Sequence, residues 1–314
     1  MSGYNAFLPE SSLFEPFEPN NCGLGEFINV FGCFVFMGIS TELHQLMTRH
    51  TFAPNKKLAQ NFVVNEGLLK KMVEAAELSQ KDVVLEVGAG TGFLTRGLLG
   101  NAKKVVAVEL DHVLCNVLKE TFAKEIANQR LELIEGNFLE AKLPKFNKVV
   151  SLPPYTISSQ LLYKIIGCEF ESAILVFQHE FALKCLSKPG FSEFCPLAVL
   201  IDYYFDSKIL IERLLPENFF PSPKAISSLI KISRKKSVKR IPKEKFFSLF
   251  LKNLFRYKNK NLANALEKAH QFIRQDLKID EKKFKQITAG LAQKNVKVYL
   301  IEPFEFVEIF RKIY

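Results

Sequence analysis

The residues of this 314-residue chain with the plainest chemical meaning are three glycines and two acids. In Glu86-Val87-Gly88-Ala89-Gly90-Thr91-Gly92 the glycines follow the apolar run Val83-Val84-Leu85. They sit where a buried strand turns sharply into a helix, so backbone can approach a ligand with no Cβ in the way. A dinucleotide fingerprint wants glycine at position 93; the residue there is Phe93, and the G-x-G-x-x-G pattern fails. Glu86 also argues against a pyrophosphate pocket, because its charge would repel phosphate. It suits the ammonium of an amino-acid moiety instead. One strand later, Glu109 closes Val105-Val106-Ala107-Val108 and places a carboxylate at a strand's C-terminal end, where it can accept from ribose hydroxyls. An amino-acid end and a ribose together select S-adenosyl-L-methionine over NAD.

Such a site needs alternating strands and helices. Helices are expected at 66–78, 92–99, 112–124 and 158–166, and strands at 82–87, 104–109, 130–135, 148–151 and 172–178, from the 3.6-residue and continuous apolar patterns. The alternation implies a doubly wound α/β sheet spanning residues 51–235. After Lys235 the strand signals stop, and 243–256, 262–270, 281–292 and 304–313 read as helices of a separate, smaller unit, 236–314. Residues 1–50 show no helical or strand period and carry the apolar stretch 27–39, which is too short to span a bilayer and lacks preceding Lys or Arg. The expectation is a poorly ordered extension, or an upstream start-site artefact with the true start near Met47.

Composition places the chain among globular proteins, with 48% apolar and 24% charged residues. A net charge of +10 and a pI near 9.2 favour a polyanionic partner, with RNA, DNA and an anionic membrane all open on charge alone. The entry to the helical unit is dense in cations: Lys231, Arg234, Lys235, Lys236, Lys239, Arg240, Lys243 and Lys245, then Lys252, Arg256, Lys258 and Lys260, against the single acid Glu244. An RNA-phosphate groove is favoured over a solvated face, with Lys235, Lys236, Lys239, Arg240, Lys258 and Lys260 as its contacts. The six cysteines show no CxxC pair and no His at ligand spacing, so neither a metal site nor a disulfide framework is expected, and a reducing cytoplasm is the simplest compartment.

Several motifs, in order, carry a resemblance. They are Lys57-Leu58-Ala59-Gln60-Asn61-Phe62, Glu86 to Thr95, Val108-Glu109-Leu110-Asp111, Pro154-Tyr155-Thr156-Ile157-Ser158-Ser159, Phe177-Gln178-His179-Glu180 leading to Lys188-Pro189-Gly190, and Phe219-Phe220-Pro221-Ser222-Pro223-Lys224. From Asn55 to about Leu266 the chain resembles the rRNA adenine N6,N6-dimethyltransferases, relatives of the macrolide-resistance methyltransferases. The resemblance implies a Rossmann-like class I methyltransferase domain with a small C-terminal helical domain, acting as a monomer on small-subunit rRNA in a pre-small-subunit particle. It implies that Gln60 and Asn61 cap the cofactor's methionine end, Gly88 lines it, Glu109 holds the ribose and Asn137 faces the adenine edge. Val63, Gly90, Leu110, Phe138 and Ser151 complete the implied cofactor site, with Glu86. Asn137 departs from the family's Asp, but an amide still offers an acceptor, so weakened binding is expected.

The family's N-L-P-Y motif supplies two acceptors for the exocyclic N–H groups, an Asn side chain and the next backbone carbonyl, and a Tyr that stacks on a base taken out of its helix or loop. Here the motif reads Leu152-Pro153-Pro154-Tyr155. Leu152 offers no side-chain acceptor, while the carbonyl of Pro153 and the ring of Tyr155 remain. Losing one polar partner costs about 1 to 3 kcal/mol, roughly 5- to 150-fold in rate, which implies a crippled enzyme more readily than a dead one. Ser151 would substitute as acceptor if the loop slipped by one residue. Phe219 matches the aromatic that sandwiches the flipped base against Tyr155. His179 is read as structural, since the chemistry needs no imidazole. The competing reading is a cofactor-binding assembly factor of the small subunit with weakened catalysis; a methyltransferase for protein or small molecules is disfavoured by the basic tract.

Overall fold

The computed structural model describes residues 38–277 and 281–314. The chain enters through helix α1 (Ile39–Arg49), crosses a short strand β1 (Phe62–Val63), and continues as α2 (Glu66–Ala76), β2 (Val83–Val87), α3 (Phe93–Asn101), β3 (Lys104–Glu109), α4 (His112–Thr121), α5 (Ala123–Ala127) and β4 (Leu131–Glu135). It then forms β5 (Lys148–Ser151), α6 (Ser158–Ile166), β6 (Ser172–Gln178), α7 (His179–Cys185), α8 (Pro196–Tyr204), β7 (Phe205–Leu214), β8 (Phe219–Phe220) and β9 (Ser227–Arg234). Four helices close the chain: α9 (Glu244–Phe255), α10 (Leu262–Leu277), α11 (Glu281–Ala289) and α12 (Pro303–Ile313).

A seven-stranded sheet has the order β4-β3-β2-β5-β6-β9-β7. β2 to β6 run parallel, and β9 pairs antiparallel with both β6 and β7. The order reverses between β2 and β5, and at such a switch point the carboxyl ends of the strands splay open a crevice. Pleating divides the sheet residues between two cores: Val84, Val105, Val150, Ile174 and Leu229 face α1 to α4, while Leu85, Val106, Val149, Leu175 and Ile230 face α6 and α8. The doubly wound α/β expectation therefore holds, with every strand expected between residues 82 and 178 present to within one residue at either end.

Two expectations are corrected. The first fifty residues were expected to lie outside the fold, yet α1 buries Leu43 and Leu46, donates from the Ile39 amide to Glu66, and pairs Glu42 bidentately with Arg96 of α3. Leu43, Leu46 and Met47 are spaced as one helical stripe, which polar neighbours mask in the sequence. The apolar stretch 27–39 lies almost wholly outside the described residues, as do residues 1–37 of the proposed extension. The C-terminal helices were expected to form a separate unit. Instead Phe247, Phe250, Phe306 and Phe310 belong to the same buried cluster as Leu85 and Val106. The joint is α8, in which Leu197, Ala198, Val199, Leu200 and Ile201 are all buried, so it is covered by the sheet on one side and by helices on the other.

Candidate active site

The glycine loop between β2 and α3 holds Gly88, Gly90 and Gly92 at φ of +76°, +60° and +85°. A Cβ on Gly88 would lie 3.1 Å from Cδ of Pro154, and one on Gly92 would lie 2.5 Å from Cε2 of Phe122. The first distance is functional in consequence: it brings the glycine loop against the Pro153-Pro154-Tyr155 loop that follows β5. Both loops sit at carboxyl ends of strands flanking the switch point.

Glu109, at the end of β3, is the best-anchored acid of the region. Its Oε2 accepts from the Gly90 amide at 2.8 Å, and its Oε1 accepts from the amides of Leu110 and Asp111 at 2.8 and 2.9 Å. Burial pushes its pKa up while these three amides pull it down. A carboxylate has about four lone-pair sites, so one on Oε2 is left for an incoming hydroxyl. Leu110 beside it is 54% exposed and presents an apolar face to the same opening.

An N-terminal strap covers this edge. Gln60 accepts from the Asn55 amide (2.8 Å) and donates to Asp111 (2.7 Å), and Asp111 in turn caps α4 through the amides of Val113 and Leu114. Asn61 donates to Ala59 O at 3.0 Å, and Ala59 takes the left-handed conformation at φ 51°. The strap then pairs as β1 with β8, setting Val63 opposite Phe219 and Phe62 opposite Phe220. The strand pair thereby carries Phe219 to the glycine loop and the strap's own end. Tyr155 is fixed from the other side, its hydroxyl 2.5 Å from Oγ of the fully buried Ser227 on β9, and burial raises its pKa.

These parts line one open cleft, formed by Gln60, Asn61, Gly88, Gly90, Glu109, Leu110, Leu152, Pro153, Tyr155 and Phe219. The residues expected to form the methionine, ribose and target-base subsites thus converge. Sequence reasoning missed Leu58, Phe62, Pro154, Leu114 and Val176 as lining, and Asp111 as the anchor of the strap. Leu58, Phe62, Pro154 and Asp111 stood inside quoted motifs; Leu114 and Val176 carry only apolar bulk, which has no positional signal without the fold.

Five expected residues lie elsewhere. Glu86 is 1% exposed beneath the glycine loop, accepts from Thr95 Oγ1 at 2.7 Å, and has its pKa pushed up to about 8 by burial. It is a largely neutral acid at pH 7 and presents no carboxylate to the cleft. Ser151 is fully buried and committed to β2, donating to Val87 O at 2.6 Å and accepting from Val87 N at 3.3 Å. It therefore cannot replace the acceptor missing at Leu152, whose side chain packs on the core that holds Val150 and Val176. Val63 and Phe138 are buried supports. Asn137 turns its side chain into its own loop, accepting from Leu139 N at 3.0 Å and donating to Glu140 at 2.9 Å.

The basic segment is also partly consumed by structure. Lys231 and Arg234 belong to β9: Lys231 bonds Ala75 O and Glu77, and Arg234 bonds the carbonyls of Ile166, Cys168 and Phe170. Lys235 donates to Asp202 O, Arg240 to Gly167 O, and Lys258 to Ser192 O. Lys236, Lys239 and Lys260 are exposed. His179 bonds Oγ of Ser228 at 2.9 Å, a structural contact. Among the described residues no helix is long and apolar enough to cross a membrane.

The model of the ribosomal RNA adenine dimethylase family matches residues 51–299. The chain belongs to this family. It is 37% identical over 252 residues to a probable ribosomal RNA small subunit methyltransferase A of Methanococcoides burtonii, covering 80% of this chain and 90% of the relative. A protein of the same description from Pyrococcus abyssi is 35% identical over 269 residues, 85% of this chain and 95% of the other. Among solved structures, a dimethyladenosine transferase from Plasmodium falciparum superposes with a TM-score of 0.71 at 26% identity, covering 80% of this chain and 96% of that one. The family match begins two residues after α1 ends, so that helix lies outside it.

Proposed function

We propose that the chain transfers methyl groups from S-adenosyl-L-methionine to N6 of adenines in small-subunit ribosomal RNA. One observation carries the reading: a single cleft joins the glycine loop and Glu109 to Tyr155 and Phe219, an amino-acid and ribose subsite abutting an aromatic pair. The donor set fits the cofactor, since Glu109 keeps one lone pair for a ribose hydroxyl and Gly88 leaves open the space that a side chain would fill. Gln60 and Asn61 sit over the amino-acid end. When bound, S-adenosyl-L-methionine supplies a methyl group activated by its sulfonium.

The chain's own part is positioning. Tyr155, tethered by Ser227, and Phe219, held in β8, present two aromatic faces for a base taken out of its stack. Among the described residues no hydrogen bond uses the Pro153 carbonyl, which leaves it available to accept an N6–H and draw electron density to the nitrogen. Leu152 supplies no second acceptor. Alignment of nucleophile and methyl then provides most of the acceleration. The relatives' names are those of methyltransferases, which favours transfer over the assembly-factor alternative. By the same reading a monomer acts on a pre-small-subunit particle in the cytoplasm.

The test is methyl transfer from labelled cofactor to unmodified small ribosomal subunits. Incorporation into N6-methylated adenosine is expected, and Leu152→Asn is expected to raise the rate roughly 5- to 150-fold by restoring an acceptor. No incorporation by either protein, with cofactor and subunit binding intact, would favour the assembly-factor reading.

A further inference from the structure

The sheet order gives the cleft a direction. Gly88 follows β2, Glu109 ends β3, and the loop 136–141 leaves β4, so the three lie on successive strands at steps of about 4.8 Å. The Gly136 amide donates to Glu109 O at 2.7 Å and ties the third station to the second. A ligand that places its amino-acid end at Gly88 and its ribose at Glu109 must place its base over the loop 136–141. That loop has no strand or helix of its own. Asn137 ties it internally, its side chain accepting from Leu139 N and its carbonyl from the amides of Glu140 and Ala141. One side chain from α6 ties it to the rest of the fold: Lys164 donates to Phe138 O (2.5 Å), Leu139 O (3.0 Å) and Ala141 O (2.8 Å), and its ammonium sits 4.9 Å from the centre of the Phe138 ring.

An ammonium has three N–H donors, and all three are spent on this loop. The helix that carries Lys164 starts immediately after the Tyr155 turn, and Ser158 Oγ at its first position donates to Tyr155 O at 2.9 Å. Resting on the proposed cofactor and its direction in the cleft, we infer that Lys164 is a positioning residue: it holds the loop that receives the cofactor's adenine in fixed relation to the helix that supports the target-base platform. It touches neither ligand. Its work is to keep three carbonyls turned inward and Asn137 and Phe138 in register with Glu109.

The experiment uses the full chain with S-adenosylhomocysteine and 5′-methylthioadenosine as probes, the second having the base, ribose and thioether but no amino-acid end. Lys164→Met keeps the apolar stem and removes the donors. Both probes are expected to bind it at least about tenfold more weakly by calorimetry. Lys164→Gln, with two donors, is expected to fall between. A folded Lys164→Met protein that binds both probes as the unaltered chain does would overturn the inference, as would weakened binding of S-adenosylhomocysteine alone. Should Lys164→Met fail to fold, Lys164→Gln decides by the same readouts. Because the readout is binding, an absence of methyl transfer would count against the proposed function and leave the role of Lys164 separately decidable.

Discussion

Glu86 and Glu109 end neighbouring parallel strands, both nearly removed from solvent, and their partners set them to different work. Glu109 accepts three amides and keeps a face on the cleft, whereas Glu86 has a single hydroxyl partner and no opening. With a folded pKa of about 8 against an ordinary 4.5, Glu86 holds its proton in the folded state at pH values where the unfolded chain has lost it. Its contribution is therefore complete below about pH 4.5 and is lost as pH rises towards 8, by up to about 5 kcal/mol; Glu109, also raised, acts in the same direction. Urea midpoints measured at pH 5, 6.5 and 8 should fall in that order, and Glu86→Gln should flatten the trend. An unchanged slope in the variant would assign it to other groups. Tyr155 offers the complementary case. If its ring is the working part and its hydroxyl only an anchor to Ser227, Tyr155→Phe should keep transfer within about tenfold, while Tyr155→Ala should lose a hundredfold or more by releasing the base from alignment. Equal losses in the two variants would give the hydroxyl a direct role.

At the scale of elements, α1 shows what sequence patterning misses. Its buried stripe is only Leu43 and Leu46 with Met47 partly covered, too few apolar positions to stand out beside an atypical stretch, yet Leu43 is fully buried. Leu43→Ala should cost about 2 to 4 kcal/mol and lower the melting temperature. Beginning the chain at Met47 should do at least as much, since it removes Leu43, Leu46 and the Glu42–Arg96 pair together. A truncated protein with an unchanged melting temperature would show the helix to be dispensable. The parallel strands β2, β3, β5 and β6 were legible because strands buried on both faces are largely apolar runs between turn residues, and the edge strand β4 because Leu131, Leu133 and acids alternate along it. By contrast β9 was obscured by its own chemistry. Lys231 and Arg234 at its end read as part of a basic linker, and only the fold reveals that Glu77 and the carbonyls of 166–170 neutralise and hold them. The site divides the same way: the glycines and Glu109 announce themselves by type and spacing, while Ser151 spends its hydroxyl on the Val87 backbone and Asn137 spends its amide on Leu139 N and the Glu140 side chain.

Across the whole molecule, the net charge of +10 overstates what is free to meet phosphate. Of the six cations expected to contact RNA, Lys235, Arg240 and Lys258 already donate to backbone carbonyls, and Arg240 also faces Glu169 and Glu244. Lys236, Lys239 and Lys260 keep exposed ammonium groups and remain able to displace counterions. Each phosphate contact contributes about 0.7 to 0.9 to the slope of log affinity against log salt, depending on whether the strand is single or paired. Replacing Lys239 and Lys260 together by Gln should therefore shallow the salt slope for small-subunit rRNA by about 1.4 to 1.8, with little change in melting temperature. Replacing Lys235 and Lys258 should instead lower the melting temperature by loosening the contacts to Asp202 O and Ser192 O, with a smaller effect on the slope. Filter binding at four or more salt concentrations beside thermal unfolding separates the two pairs. If both pairs change the slope equally, the carbonyl bonds of Lys235 and Lys258 must yield to phosphate when RNA binds.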